Sequence, residues 1–207
     1  MRRKHLLQRC RSIGYSYWQK EIFMIKKLIL GILALAVIAV VGFCVVVAMQ
    51  PADFKITRSA TFSAPPEKVF EQVNDFHKWE AWSPWAKIDP NMKATYSGPA
   101  TGTGAAYAWA GNDDVGEGKM TITESRPSDL VKIDLEFIRP FAAKNVTDFS
   151  IKANGGKSDV TWTMTGTNNF LMKAFGLIMN MDKLVGGDFE KGLAQMKPIV
   201  EAPAAAK

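Results

Sequence analysis

Three patterns of apolar and polar positions follow one another along the chain. Residues 28–49, LILGILALAVIAVVGFCVVVAM, run without a charged side chain. At about 1.5 Å per residue they make roughly 33 Å of helix, enough to cross a bilayer core of about 30 Å. The run is longer than the roughly 7–15 apolar residues of a cleavable secretory signal. It therefore reads as an uncleaved transmembrane helix, although VVA ending at Ala48 also has the form of a cleavage site. From residue 53 apolar and polar positions alternate in short runs, as in half-buried strands. From residue 168 the apolar spacing lengthens to three and four, the spacing of a helix face.

The alternation predicts a first strand over 53–64. PPEKVFEQVNDFHKW then opens with prolines suited to a first helical turn and sets Val69, Phe70 and Val73 on one face. WEAWSPWAKIDP (79–90) predicts a second short helix, stopped at Pro84. Six more strands are predicted over 92–98, 104–111, 116–126, 130–138, 145–153 and 158–166. They are separated by turn signals such as Gly111-Asn-Asp-Asp and Asn154-Gly-Gly-Lys. Residues 168–181 are apolar nearly all round, and 182–201 carry a stripe of Val185, Phe189, Leu193, Met196 and Val200. An antiparallel sheet of this size must cover an apolar face, and only the last helix is long enough to do so. The predicted class is α+β: about seven curved antiparallel strands around a long C-terminal helix, plus one N-terminal transmembrane helix. The expected divisions are a basic segment 1–27, a span 28–49, a domain 50–201 and a frayed tail 202–207.

Charge changes the picture at one end only. Residues 1–49 hold eight Lys/Arg against Glu21, and the remainder balances to −1 within a total of +6. The basic character belongs to the flank, so no basic face for nucleic acid is expected on the domain. The positive-inside rule puts the N-terminus in the cytoplasm and the domain across the membrane. MIKKLILGIL from Met24 already has the form of a complete start. Residues 1–23 are thus either a short cytoplasmic tail or the product of an upstream start. Cys10 and Cys44 lie outside the domain, which leaves it no disulfide framework.

Candidate chemistry is sparse. The domain has one histidine, His77, and no GxSxG, P-loop or dinucleotide fingerprint. GNDDVGEG lacks the acid spacing of a calcium loop and reads as a hairpin turn. By alternation Asp134 and Glu136 oppose Ile133, Leu135 and Phe137 and so face solvent. Glu124 shares the parity of Met120 and Ile122 but lies near a strand end, where solvent is its expected environment; an enzyme would need an inward carboxylate or tyrosine pair, such as Glu124 with Tyr107. No catalytic residue, metal ligand or cofactor is predicted.

The apolar positions are richer. The candidate ligand-binding residues are Tyr96, Tyr107, Trp109, Met120, Ile122, Leu135, Phe149, Trp162 and Met164, pointing inward from the strands, with Trp82 and Trp85 from the short helix beside them. Phe175 and Met179 precede the last helix, which contributes Gly186 and Phe189. Gly186, Gly187 and Gly192 each cost roughly 1 kcal/mol relative to Ala in a helix interior. Either the helix approaches the strands closely there, or room is left for a ligand. The tryptophans either line the mouth of a pocket or form the apolar base of the fold.

SAPPEKVFEQVNDFHKWEAWSPW, SGPATGTGAAYAWAGNDDVGEGKMTI and MDKLVGGDFEKGLAQMK, in this order and spacing, resemble the SRPBCC, or START-like helix-grip, superfamily. The likeness is to its bacterial polyketide cyclase/dehydrase and lipid transport branch, over about residues 53–200. The resemblance implies a helix-grip fold with a hydrophobic cavity between sheet and C-terminal helix. It transfers no catalytic motif. The function expected is membrane-anchored binding of a hydrophobic small molecule: a lipid, isoprenoid or polyketide-like compound. The alternatives are a cyclase, dehydrase or hydrolase acting in the same cavity, or a non-catalytic partner in an envelope complex. Oligomeric state is not legible.

Overall fold

The computed structural model describes residues 2–203, with side chains from Phe23 onward. The predicted tail beyond Pro203 and the side chains of residues 1–22 in the basic segment lie outside the described residues. The chain divides into two units between Gln50 and Pro51. The first is a single helix, α1 (Arg2–Met49), in which Phe23–Met49 is long and apolar enough to cross a membrane. Apolar helices near an N-terminus also occur in signal sequences.

The second unit runs β1 (Asp53–Phe62), α2 (Pro66–Val73), a 3-10 helix (Phe76–Ala81), β2 (Lys93–Ser97), β3 (Ala106–Ala110), β4 (Glu117–Arg126), β5 (Leu130–Arg139), β6 (Ala143–Asn154), β7 (Lys157–Thr167), α3 (Phe170–Ile178) and α4 (Met181–Glu201). The seven strands form one antiparallel sheet in the order β1-β7-β6-β5-β4-β3-β2. The predicted α+β helix-grip architecture is therefore present. Register shifts in β4, at Glu117/Gly118 and Ile122/Glu124, bend the sheet.

Local chemistry sets the helix ends. Pro66 occupies the first turn of α2, where its missing N–H costs nothing. The Asp75 carboxylate accepts from the His77 N–H at 2.9 Å and starts the 3-10 helix. Asn169 and Asn180 cap α3 and α4 by accepting from the N–H groups of Met172 and Lys183, both at 2.9 Å. Each such cap is worth about 1 kcal/mol. The Asn180 cap also explains why the helical end, 168–201, divides into α3 and α4.

Pairing fixes one inner face. Arg58 of β1 stands opposite Trp162, Trp162 opposite Phe149, and Phe149 opposite Val131. Further along the sheet Ile133 faces Ile122, Leu135 faces Met120, and Met120 faces Tyr107. Helix α4 lies against this face along β1 and touches α2.

Candidate functional site

The inner face has a filled end and a half-buried end. At the filled end α2 and the 3-10 helix cap the sheet, and Val69, Val73, Phe76 and Trp79 pack with Phe62, Val131, Phe149 and Ile151. Trp82 is wholly enclosed, its ring 4.7 Å from Trp79 and 5.8 Å from Trp162 between centres. Its indole N–H donates to the Gln72 carbonyl, and that of Trp79 to the Val73 carbonyl. Both polar edges are thus satisfied inside the core. Trp85 is half-buried, edge-on to Trp162 and Phe189. Trp79 and Trp82 thus pack into the base of the fold, while Trp85 keeps part of its surface uncovered. Trp82 offers no surface to a ligand, and neither do Ile122, Phe149, Trp162 and Phe189, each at most 2 % exposed.

The glycines of α4 divide in the same way. Gly192 lies on Trp162: an added Cβ would stand 2.9 Å from its ring and 3.3 Å from Pro84. Trp162 in turn stacks on Phe189 at 4.0 Å between ring centres. Gly186 is filled by the guanidinium of Arg58. The room expected in front of Gly186 is therefore occupied, because Arg58 projects from the inner row of β1. It donates to the Asp182 carboxylate at 3.0 and 3.1 Å, to the Asp182 carbonyl at 2.9 Å and to Glu190 at 2.6 Å. This fork fastens the first half of α4 to the sheet. The hydrogen bonds from Arg58 hold the Asp182 carboxyl below the usual carboxylate range. Gly187 has open space before it.

At the other end the face is aromatic and only partly covered. Tyr107, Trp109, Leu135 and Phe137 are half-buried, bordered by Met120 and Met164. Trp109 donates to the Val115 carbonyl at 3.0 Å, lies over Gly118 and meets Phe137 edge-on at 5.9 Å. Tyr107 stacks beside it at 5.9 Å. Burial, followed by the charges of Tyr96 and Glu80, pushes the Tyr107 phenol up to about 12, so it is neutral at physiological pH. Helix α3 buries none of its residues. Phe175 meets Phe141 of the β5–β6 turn at 5.8 Å, and Met179, the C-cap, is exposed. Tyr96 keeps its row, opposite Tyr107 and 5.3 Å from it between ring centres, but it is exposed and also stacks on His77 at 4.1 Å, because β2 lies at the sheet edge.

The polar side chains on the inner rows include Arg58, Tyr107, Thr147 and Ser158. Thr147 accepts from the Trp162 indole N–H at 2.8 Å and donates to the Thr163 carbonyl. The carboxylate–tyrosine pair is not brought together. Glu124 is tied to Arg126 at 2.7 Å with 42 % of its side chain exposed, since the shift after Ile122 turns it out of the row. Asp148, raised by burial, lies on the opposite face, between Lys132 and Thr163 in register. Among the described residues no three His, Cys, Asp or Glu side chains are grouped to hold a metal ion.

Residues 53–201 match the profile of a family described as polyketide cyclase/dehydrase and lipid transport. The chain belongs to that family. Solved structures agree in fold. Protein CV1439 from Chromobacterium violaceum is 14% identical, with 72% of this chain and 98% of that one covered at a TM-score of 0.54. The Aha1 dimer from Colwellia psychrerythraea is 15% identical, with 72% and 96% covered at 0.51. Likeness at these identities is one of fold. No curated protein matches the chain.

For this member of the polyketide cyclase/dehydrase and lipid transport family, sequence reading missed two residues of consequence. Arg58 shares the strand parity of Phe54, Ile56 and Phe62, a charge in an apolar row, and that parity was the signal for it. Phe141 lies in a turn, where periodicity gives none.

Proposed function

We propose that the domain binds a hydrophobic small molecule, a lipid, isoprenoid or polyketide-like compound, against the half-buried end of the inner face. One observation carries this reading. The filled end is closed with tryptophan and phenylalanine, while Tyr107, Trp109, Leu135 and Phe137 at the other end are only half-buried. Completing such a face with a ligand removes apolar area from water at about 25 cal/mol per Å². The neutral Tyr107 phenol can orient a polar end of the ligand by one hydrogen bond. Met120, Met164, Phe175 and Met179 supply adaptable walls. Glu124, the carboxylate expected beside Tyr107, is turned out of the inner row and tied to Arg126, which favours binding over acid–base catalysis by that pair. We read α1 as a single-pass anchor in a bacterial inner membrane, N-terminus in the cytoplasm, keeping the domain near lipophilic ligands.

Native mass spectrometry of the full chain, extracted gently from membranes, tests the reading. The expected result is a stoichiometric apolar adduct that Leu135→Gln loses while melting within a few degrees of the parent. A clean mass, together with no uptake of a fluorescent fatty-acyl probe, overturns it.

A further inference from the structure

The large exposed apolar side chains of the domain are gathered at one end. Among the described residues from Pro51 onward there are ten. Five belong to α3 and its C-cap, at 41 to 80 % exposure, and Leu184 is in the first turn of α4. Ile138 and Phe141 lie at the β5–β6 turn, and Ile88 precedes Asp89, whose carboxylate accepts from the Asn112 N–H at 2.8 Å in the β3–β4 loop. Tyr96 alone stands elsewhere. Strand register puts these turns at the same end of the sheet as Asp53 and Thr167, which pair with each other. The Asn168 N–H donates to the Ala52 carbonyl at 2.8 Å, two residues before α3 begins.

That end is also where the chain arrives from α1. Only Gln50, Pro51 and Ala52 separate α1 from β1, a covalent reach of roughly 10–14 Å. If Phe23–Met49 spans a bilayer, the start of β1, and with it the start of α3, cannot leave the membrane surface by more than that reach. An apolar helix of nine residues adheres to a bilayer weakly by itself. A short tether converts that adhesion into an intramolecular event at high effective concentration. Lys173 and Lys183 flank the patch, while Asp113 and Asp114 stand on the β3–β4 loop nearby. The charge is mixed, and apolar area is the attraction.

We propose that this end of the domain, built on α3, the first turn of α4 and the tips carrying Ile88, Ile138 and Phe141, rests in the interfacial layer of the bilayer that holds α1. The half-buried end of the inner face then opens toward lipid. The inference rests on the reading of α1 as a span.

The full chain, with Cys10 and Cys44 replaced by serine, is reconstituted in phosphatidylethanolamine–phosphatidylglycerol vesicles. It carries one nitroxide, at I178C or at K157C. Ile178 is 80 % exposed, so the label displaces no packing; Lys157 starts β7 at the far end of the sheet. The expected result is oxygen accessibility above nickel-complex accessibility at 178 and the reverse at 157. Nickel accessibility at 178 matching that at 157 overturns the proposal in favour of a domain standing in water. Exclusion of both reagents at 178 overturns it in favour of a protein contact, such as a second copy. Alkaline extraction of the same vesicles separates the two readings: a chain released to the supernatant refutes the span itself, and a retained chain confines any failure to the docking.

Discussion

Trp82 and Tyr107 mark the two ends of the inner face, and substitution separates them. Trp82→Ala removes an enclosed ring whose neighbours Trp79, Phe149 and Trp162 cannot collapse into the space. The expected loss is about 3–5 kcal/mol, read by chemical denaturation. A ligand effect without a loss of stability would move Trp82 back to a pocket wall. Tyr107 has a different signature. A folded value near 12 against about 10 in the unfolded chain means that the neutral phenol's contribution is fully present below about pH 10. It is lost as the pH climbs toward 12. Phenolate absorbance should show one tyrosine ionising late, and Tyr107→Phe should remove that step. The Trp82–Tyr107 contrast also measures what sequence could tell. Strand parity placed the phenol among inward residues, and the short helix beside the strands placed the indole there. Neither could say which end α2 and the 3-10 helix would close, because that depends on long-range packing.

At the scale of elements, the strands were legible and the helix seating was not. Alternation located the strands that have one buried face, and turn signals on either side located β2, which is exposed throughout. For α4 the apolar stripe was equally clear, yet the glycines admitted two readings until their neighbours were known. Close approach is the answer at Gly192 and Gly186, and open space at Gly187. The three positions should therefore respond differently to alanine. Gly192→Ala presses on Trp162 and Pro84 and should cost about 1–3 kcal/mol. Gly187→Ala should stabilise by up to about 1 kcal/mol through helix propensity alone. Gly186→Ala displaces the Arg58 guanidinium from Asp182 and Glu190, and its effect should largely vanish in an Arg58→Met background. Thermal melting of the four variants and the double mutant reads this directly; equal effects at 187 and 192 would contradict the packing.

Over the whole molecule the uneven filling of the domain becomes a gradient of stability. The pairs β1–β7 and β6–β7 run along the full core, with Phe62, Phe149, Val160 and Trp162 sealed beneath them. Their amides should open only with global unfolding. Helix α3, by contrast, buries no residue and meets Phe141 through Phe175. It belongs at the low end of the gradient, and fast exchange there is the expected baseline in detergent. Two events would slow it: a ligand completing the half-buried face, and the interfacial layer of a bilayer. They are separable. A ligand binding the native state at about a hundredfold above its dissociation constant adds about 2.7 kcal/mol to global stability. It should protect α3 together with β3–β5, around Tyr107, Trp109 and Leu135. The bilayer touches only the end face, so in nanodiscs α3 and the 138–142 turn should slow while β3 and β4 keep their detergent rates. Hydrogen exchange on the full chain in detergent, in detergent with a fatty-acyl ligand, and in nanodiscs gives the three patterns. Protection of α3 already maximal in detergent would mean that the helix is held by the domain alone, and would leave neither ligand nor bilayer with a face to complete.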